Sequence, residues 1–183
     1  MVVAAGRVYF TAEASQAVAR LDEAASGVDW VARTGQVATH MVVASPDGRT
    51  LYTANVGSGS VTRLTLATGE VRHIAVGPQP EGIALSPDGR ELWVGHNGDG
   101  AVSVIAVRTE EVVATLPVGT MPIRLAFTPD GRRVLASDAR GDAVVVIDAA
   151  RREVTGRIPV AGTPIGLVPA SDGRRAFVSR TQA

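Results

Sequence analysis

One short turn sequence recurs along this chain at a nearly constant interval, and this interval restricts the folds open to the chain. The stretch "SPDGRTLYTAN" at residues 45–55 is followed by "SPDGRELWVGHN" from Ser86 and by "TPDGRRVLASDA" from Thr128. The turn glycine recurs in steps of 42, 41, 42 and 42 residues, at Gly6, Gly48, Gly89, Gly131 and Gly173. Such a period is typical of a supersecondary unit that stacks on neighbouring copies of itself.

The chemistry of the turn indicates what each unit contains. Pro46 sets φ for the first central position of a type I turn, Asp47 suits the second, and Gly48 can adopt the left-handed conformation of a following bulge. This is a hairpin connection, and short β-type runs lie on both sides of it. The sequence therefore predicts four antiparallel strands per unit, here named a, b, c and d in chain order. In the second unit these strands are "HMVVAS", "TLYTAN", "VTRLTL" and "VRHIAV".

Four antiparallel strands in about 40 to 45 residues form one blade of a β-propeller. The predicted fold class is thus all-β, with about four four-stranded blades and an extra hairpin. The predicted organisation is a single propeller domain over residues 1–183, with blade units at about 1–38, 39–79, 80–121, 122–163 and a partial unit at 164–183. The aromatic residues predicted to fill the core between blades are Tyr9, Phe10, Tyr52, Trp93, Phe127 and Phe177, whereas Trp30 receives no assignment.

Composition excludes several function classes. The chain has 18 Lys and Arg against 18 Asp and Glu, so it lacks the basic character that favours nucleic acid as a partner. It has no cysteine, which excludes disulfides and thiolate metal sites. No apolar run reaches the roughly 18 residues of a membrane span, and the first residues do not resemble a secretory signal. No phosphate-binding loop, dinucleotide fingerprint or nucleophile elbow is present, so no cofactor is predicted.

The residues also resemble a known family. The stretches "PEGIALSPDGRELWVGHN" and "VSVIAVRTEEVVATLPVGTMP" are similar to the YVTN-type β-propeller repeat, which runs Pro-x-Gly-Ile-Ala, Ser-Pro-Asp-Gly-Arg and Leu-Tyr-Val-x-Asn. The similarity covers residues 39–180 well and residues 1–38 weakly. It implies membership of the WD-like and lactonase-like propeller superfamily, with seven blades as the usual number and with many exported members.

Four units and a hairpin do not make seven blades, and three interpretations remain open. The chain is a piece of a longer propeller, or two chains form a homodimer that completes a larger ring, or the last strand a closes a four-bladed ring. The first follows from the need of repeat arrays for capping ends, and the second from the tendency of exposed complementary faces to form closed oligomers.

A binding face is predicted from the strand directions. Strand b returns antiparallel to strand a, so the start of a and the end of b lie on one face with the d–a and b–c loops. Ligands and partners of propellers usually bind at such a face. The candidate binding residues there are His40, Glu81, Arg124, Asn55, His96 and Asp138.

These candidates are not equivalent. Asn55, His96, Asp138 and Arg180 occupy one repeat position, and polar side chains at a strand end commonly bond to local backbone groups, which favours a structural role. Glu81 and Arg124 depart from their repeat positions. They are interpreted either as solvated rim charges, with an inter-blade ion pair of at most about 1 kcal/mol, or as the more specific binding candidates. His40 and His96 with nearby carboxylates lack metal-ligand spacing, so no metal site is predicted.

The leading functional hypothesis is a non-catalytic binding or scaffold module, because no nucleophile, base and orienting group can be assembled. Its partner, a protein or a small molecule, is not identified by the sequence. The alternative, implied by the resemblance, is a lactonase-like hydrolase, with or without a metal, acting on a small ester or sugar lactone. A third hypothesis is a propeller that accompanies a haem domain, for which the chain offers no identifiable ligand pair.

Overall fold

The computed structural model describes residues 1–181, which form an all-β protein of four four-stranded antiparallel sheets and one two-stranded hairpin. The chain divides into two compact units, the first running from Met1 to Pro80 and the second beginning at Glu81. The predicted single domain stays a prediction, and each unit is described by itself. No helix in the described part of the chain has the length and apolar character needed to span a bilayer.

The first unit contains two sheets. The first sheet is formed by β1 (Val2–Ala4), β2 (Arg7–Ala12), β3 (Ala17–Leu21) and β4 (Val28–Arg33), with a 3-10 turn at Glu13–Ser15. The second sheet is formed by β5 (Thr39–Ala44), β6 (Thr50–Asn55), β7 (Ser60–Thr65) and β8 (Val71–Ala75).

The second unit contains two further sheets and the hairpin. The third sheet is formed by β9 (Pro80–Leu85, which starts at the division), β10 (Glu91–His96), β11 (Ala101–Ala106) and β12 (Glu111–Pro117). The fourth is formed by β13 (Pro122–Phe127), β14 (Arg133–Asp138), β15 (Ala143–Asp148) and β16 (Glu153–Pro159). The hairpin is formed by β17 (Pro164–Pro169) and β18 (Ala176–Arg180). The predicted blades and extra hairpin are therefore confirmed.

The predicted hairpin turn is also confirmed. Gly48 has φ 68° and Gly131 has φ 69°, both in the left-handed region. The backbone N–H of Gly48 donates to the carbonyl oxygen of Ser45 at 2.9 Å, as in a type I turn. The Oδ1 atom of Asp47 accepts hydrogen bonds from the Ser45 hydroxyl and from the backbone N–H of Arg49, the latter at 3.0 Å. The Ser45 bond, and to a smaller extent the Arg49 bond, lowers the pKa of this carboxyl.

The core of the first unit lies between its two sheets. Tyr9 and Val18 of the first sheet pack in one cluster with Val42, Leu51 and Leu64 of the second sheet. Trp30, which the sequence left unassigned, lies on β4 and meets Tyr9 edge to face, with ring centroids 5.8 Å apart. An edge-to-face aromatic pair contributes about 0.5 to 1.5 kcal/mol beyond the area that it buries.

The second unit repeats this packing. Trp93 and Val104 of the third sheet cluster with Val134, Val145 and Ile147 of the fourth. The two sheets approach closely because glycine occupies the contact point, where a Cβ atom on Gly95 would lie 2.3 Å from the carbonyl oxygen of Pro122. On the other side of the fourth sheet, Leu135 and Val144 pack against Leu167 of the hairpin.

The prediction that Phe177 belongs to a core between blades is wrong. Its side chain is 62% exposed, whereas Tyr9, Trp93 and Leu135, at the same repeat position, are buried. The reason is physical: this position faces the sheet that follows in the chain, and within residues 1–181 no sheet follows the hairpin.

The left-handed conformation of Gly131 leads to a stability prediction. Gly131→Val places a β-branched residue at φ 69°, which should cost about 1 to 3 kcal/mol of backbone strain. The nearest atom to its Cβ would be Cδ of Pro87 at 3.5 Å, so strain and not a clash is the expected cause. Thermal unfolding should show a lower Tm for this variant than for Arg132→Ala, a change at the neighbouring exposed side chain. Equal Tm values would contradict the bulged turn.

Candidate functional site

The six candidate residues divide between the two units. His40 and Asn55 lie in the first unit, whereas Glu81, His96, Arg124 and Asp138 lie in the second. In the second and fourth sheets, the first residue of strand a lies opposite the last residue of strand b, in the pairs Thr39–Asn55 and Pro122–Asp138. The predicted neighbourhood of these strand ends is therefore present within single sheets.

Asn55 is fully buried and fully hydrogen-bonded. Its Oδ1 atom accepts from the hydroxyls of Thr39 and Thr53, each at 3.1 Å. Its Nδ2 atom donates to the hydroxyls of Ser60 at 3.1 Å and Thr62 at 2.9 Å. Because an amide side chain offers two acceptor and two donor positions, this network uses all of them. Asn55 thus links strands a, b and c of its sheet.

His40 occupies a more open place in the first unit. Its Nδ1 atom lies 3.8 Å from Oε2 of Glu13, and about a third of its side chain is exposed. Its backbone carbonyl oxygen accepts a hydrogen bond from the hydroxyl of Thr11 on the neighbouring sheet. The contact of His40 with a carboxylate on the 3-10 turn was not predicted, because that turn interrupts the repeat.

Asp138 anchors the loop before strand β13. Its Oδ1 atom accepts hydrogen bonds from the backbone N–H groups of Thr120 at 2.9 Å and Met121 at 2.8 Å. Its Oδ2 atom lies 3.3 Å from Nη1 of Arg157, and the side chain is 1% exposed. A Cβ atom on Gly119 would lie 2.1 Å from Oδ2, so this loop requires glycine to approach the carboxylate.

His96 holds the corresponding position in the third sheet. It is completely buried on strand β10, and its Nδ1 atom lies 3.4 Å from Oδ1 of Asp99 in the b–c loop. Burial lowers the pKa of this imidazole, and the Asp99 carboxylate opposes the shift without reversing it. His96 is therefore held mainly in its neutral form at neutral pH.

Glu81 and Arg124 form a charge pair across two sheets of the second unit. The Oε1 atom of Glu81 accepts a hydrogen bond from Nη1 of Arg124 at 2.9 Å, and the side chains are 19% and 28% exposed. The same Nη1 group donates to the carbonyl oxygen of Ile123 at 2.7 Å. The second carboxylate oxygen of Glu81 accepts from the side-chain amide of Asn97. These three side chains are here called the rim cluster.

Sequence reasoning missed Asn97 of the rim cluster. The residue follows the last residue of strand β10, and its "NG" sequence is typical of a turn, which gives no indication of a binding role. Its position next to a predicted rim residue was the available signal. Among residues 1–181, no group of three or more His, Asp or Glu side chains is arranged to hold a metal ion.

The buried Asp138 gives a second stability prediction. Asp138→Ala should lower the free energy of unfolding by about 3 kcal/mol, because two buried backbone N–H groups lose a charged acceptor. Urea denaturation measures this change. Arg180→Ala is the control, since this exposed residue holds the same repeat position and should shift stability by less than about 0.5 kcal/mol. Similar losses in both variants would contradict the anchoring role.

His96 gives a prediction about pH. Because its pKa is lower in the folded protein than in the unfolded chain, the unfolded chain binds the proton more readily below about pH 6.5. The stability contributed by neutral His96 is thus fully present above that pH and is lost as the pH falls through it. His96→Asn, which carries the residue type of Asn55, should reduce the fall in urea midpoint between about pH 7.5 and pH 5.5. An unchanged fall in the urea midpoint would contradict the assignment of this pH dependence to His96.

Solved structures similar to this chain include propellers of larger proteins. Hydrazine synthase from Kuenenia stuttgartiensis matches with a TM-score of 0.74 and 30% identity, over 77% of this chain and 41% of that chain. A catalytically inactive virginiamycin B lyase from Staphylococcus aureus, solved with quinupristin, matches with a TM-score of 0.77 and 17% identity, over 91% of this chain and 57% of that chain. This chain thus spans about half the length of the solved chains that it matches.

Sequence comparison identifies the family. No curated protein matches this chain. Residues 3–175 match the sequence pattern of the family described as YNCE-like beta-propeller. The match covers the four sheets except Val2, together with β17 and its connection to β18. The repeat, the four-stranded sheets and this match lead to one conclusion: the chain belongs to the YNCE-like β-propeller family.

Proposed function

We propose that this chain is a non-catalytic binding module that holds a polar segment of a protein partner at the face bearing the d–a and b–c loops. The observation that carries the proposal is the rim cluster, in which Glu81, Asn97 and Arg124 meet across two sheets. A carboxylate, an amide and a guanidinium together offer both donors and acceptors, which suits a peptide with paired polar groups.

The repeat itself supports a role for the rim cluster beyond building the sheets. At the position of Glu81 the other units carry His40, Ile123 and Ile165. At the position of Arg124 they carry Met41, Gly82 and Gly166. Sheets of the same topology therefore form without this charge pair, and its presence at one place needs another explanation.

Stability is a weak explanation for the charge pair. A partly exposed ion pair contributes at most about 1 kcal/mol, because solvent screens the attraction and two side chains lose rotamer freedom. In contrast, Arg124 uses its Nη1 group in the contacts described, and a guanidinium carries further donors suited to carboxylate and carbonyl groups of a ligand. Rigid sheets on both sides hold these donors in place.

The similar solved structures include enzymes, so the fold does not decide between binding and catalysis. A lactonase-like hydrolase is the competing candidate. The test of the proposed function therefore includes an activity measurement beside the binding measurement.

The test starts from selection of peptides that bind the purified protein from a displayed random-peptide library. Affinities of the selected peptides are then measured by biolayer interferometry for the wild type and for the double variant Glu81→Ala and Arg124→Ala. We expect the double variant to lose at least about ten-fold in affinity, or 1.4 kcal/mol, because peptide groups lose a charged donor and acceptor. The circular dichroism spectrum should be unchanged.

The matched control is the double variant Arg151→Ala and Glu153→Ala, which removes an exposed ion pair at 3.1 Å on the turn between β15 and β16. This control should bind the selected peptides with wild-type affinity. Peptides that bind the rim variant and the wild type equally would contradict the proposed site. Bound divalent metal together with turnover in a lactone hydrolysis screen would overturn the proposal in favour of the hydrolase.

A further inference from the structure

Each packed pair of sheets within a unit uses the same two surfaces. The back face is defined by the repeat position of Tyr9, Trp93 and Leu135, and it covers the sheet that follows in the chain. The front face lies on the opposite side of the same strands, includes Leu51, Val134 and Val178, and receives the preceding sheet. Tyr9 clusters with Leu51, Trp93 with Val134, and Leu135 packs with Val178. Back face against front face is therefore the recurring interface of this chain.

The hairpin presents a back face with no cover among the described residues. Phe177 is 62% exposed and Val168 is 64% exposed, and these two residues are direct cross-strand neighbours. The corresponding pair in the fourth sheet is Leu135 with Ala126, which packs against the hairpin. An aromatic and a β-branched residue thus lie in solvent at positions that are otherwise core.

The first sheet presents an open front face. Strand pairing places Val2 opposite Tyr9 and Val43 opposite Tyr52, which aligns the first two sheets residue by residue. By this alignment, the exposed Met1, Val3 and Val28 correspond to Val42, Ala44 and Val71 of the second sheet. The latter three belong to the core of the first unit, whereas Met1 and Val3 are 89% and 67% exposed.

We propose that the back face of the hairpin docks on the front face of the first sheet in a second copy of this chain. The same two kinds of surface cover each other inside the units. The repeat pattern, and not only the exposure of these side chains, therefore identifies the surface that each one binds. Phe177 would enter the front face between Met1 and Val3, as Tyr9 enters the front face of the second sheet. The proposal does not depend on ligand binding at the rim cluster.

The chemistry of the two surfaces supports a second copy as the occupant. Both surfaces carry exposed apolar side chains at their centres, so burying them removes hydrophobic area from water. A front-to-back contact is heterologous, and it closes into a ring or extends the array, depending on the rotation between copies.

The first experiment measures mass in solution by light scattering over a series of protein concentrations. The wild type should form defined assemblies of two or more copies. Phe177→Glu and Val3→Glu should each shift the protein to the monomer, because each buries a charge at one of the two surfaces. Val113→Glu is the matched control, since Val113 is an exposed valine on the outer strand β12 and should leave the assembly unchanged.

The second experiment separates front-to-back docking from contact between two like faces. Each charged variant retains one intact surface, so an equal mixture of Phe177→Glu and Val3→Glu should form a one-to-one dimer through the intact pair. Far-ultraviolet circular dichroism of each variant confirms that the strands are retained, which the exposure of both side chains leads us to expect.

Three outcomes would overturn the proposal. One is a monomeric wild type at all concentrations. Another is an assembly that survives Val3→Glu, which would indicate contact between two back faces. The third is a mixture of the two variants that stays monomeric, since docking of unlike faces requires the intact surfaces to pair.

Discussion

The fourth sheet of this chain is apolar on both faces, and a neighbouring sheet or hairpin covers each face. On strand β14, Val134 and Leu135 point to opposite faces yet are both buried, Val134 in the cluster shared with the third sheet and Leu135 in the cluster shared with the hairpin. Alternation along a strand normally separates a buried from a solvated face, so burial of consecutive residues requires two cores. Hydrophobic burial between adjacent sheets is therefore the interaction on which each unit depends.

This requirement makes the polar strand ends important. At one repeat position the chain buries an amide at Asn55, an imidazole at His96 and a carboxylate at Asp138. A buried polar group is costly unless it is hydrogen-bonded, and Asn55 and Asp138 meet this condition with different partners. Asn55 bonds to hydroxyls of its own sheet, whereas Asp138 receives backbone N–H groups of the loop before β13. Buried polar side chains thus hold the loops at these strand ends in place, and the rim cluster lies at the same strand ends.

The sequence predicted the fold nearly completely and the site in part. The Pro-Asp-Gly turns and the 42-residue period predicted the strands, because turn chemistry is local and a repeat averages out single ambiguous positions. The pairing of Glu81 with Arg124 was inferred only as an inter-blade ion pair on the rim, and Asn97 was missed, since contacts between loops depend on side-chain directions that a period does not encode. Arg157 was missed for the same reason: it lies on β16 and reaches Asp138 across 19 residues. The exposure of Phe177 was also missed, because its residue type fits the core position and only the neighbour is absent among the described residues.

Departures from the repeat are therefore of two kinds, and they suggest different functions. At Arg124 the residue type changes while the sheet and its packing are kept, so the change adds charge and hydrogen-bonding groups at little structural cost. At Phe177 the residue type is kept while its environment changes, so the apolar side chain retains the properties of an interface without its partner. A rigid scaffold acquires specificity for a ligand when a residue changes its type at a position where the backbone structure is kept. A residue of unchanged type at an uncovered position keeps the apolar surface that is buried at the same position in the preceding units. An array with such a surface retains the capacity to add another sheet.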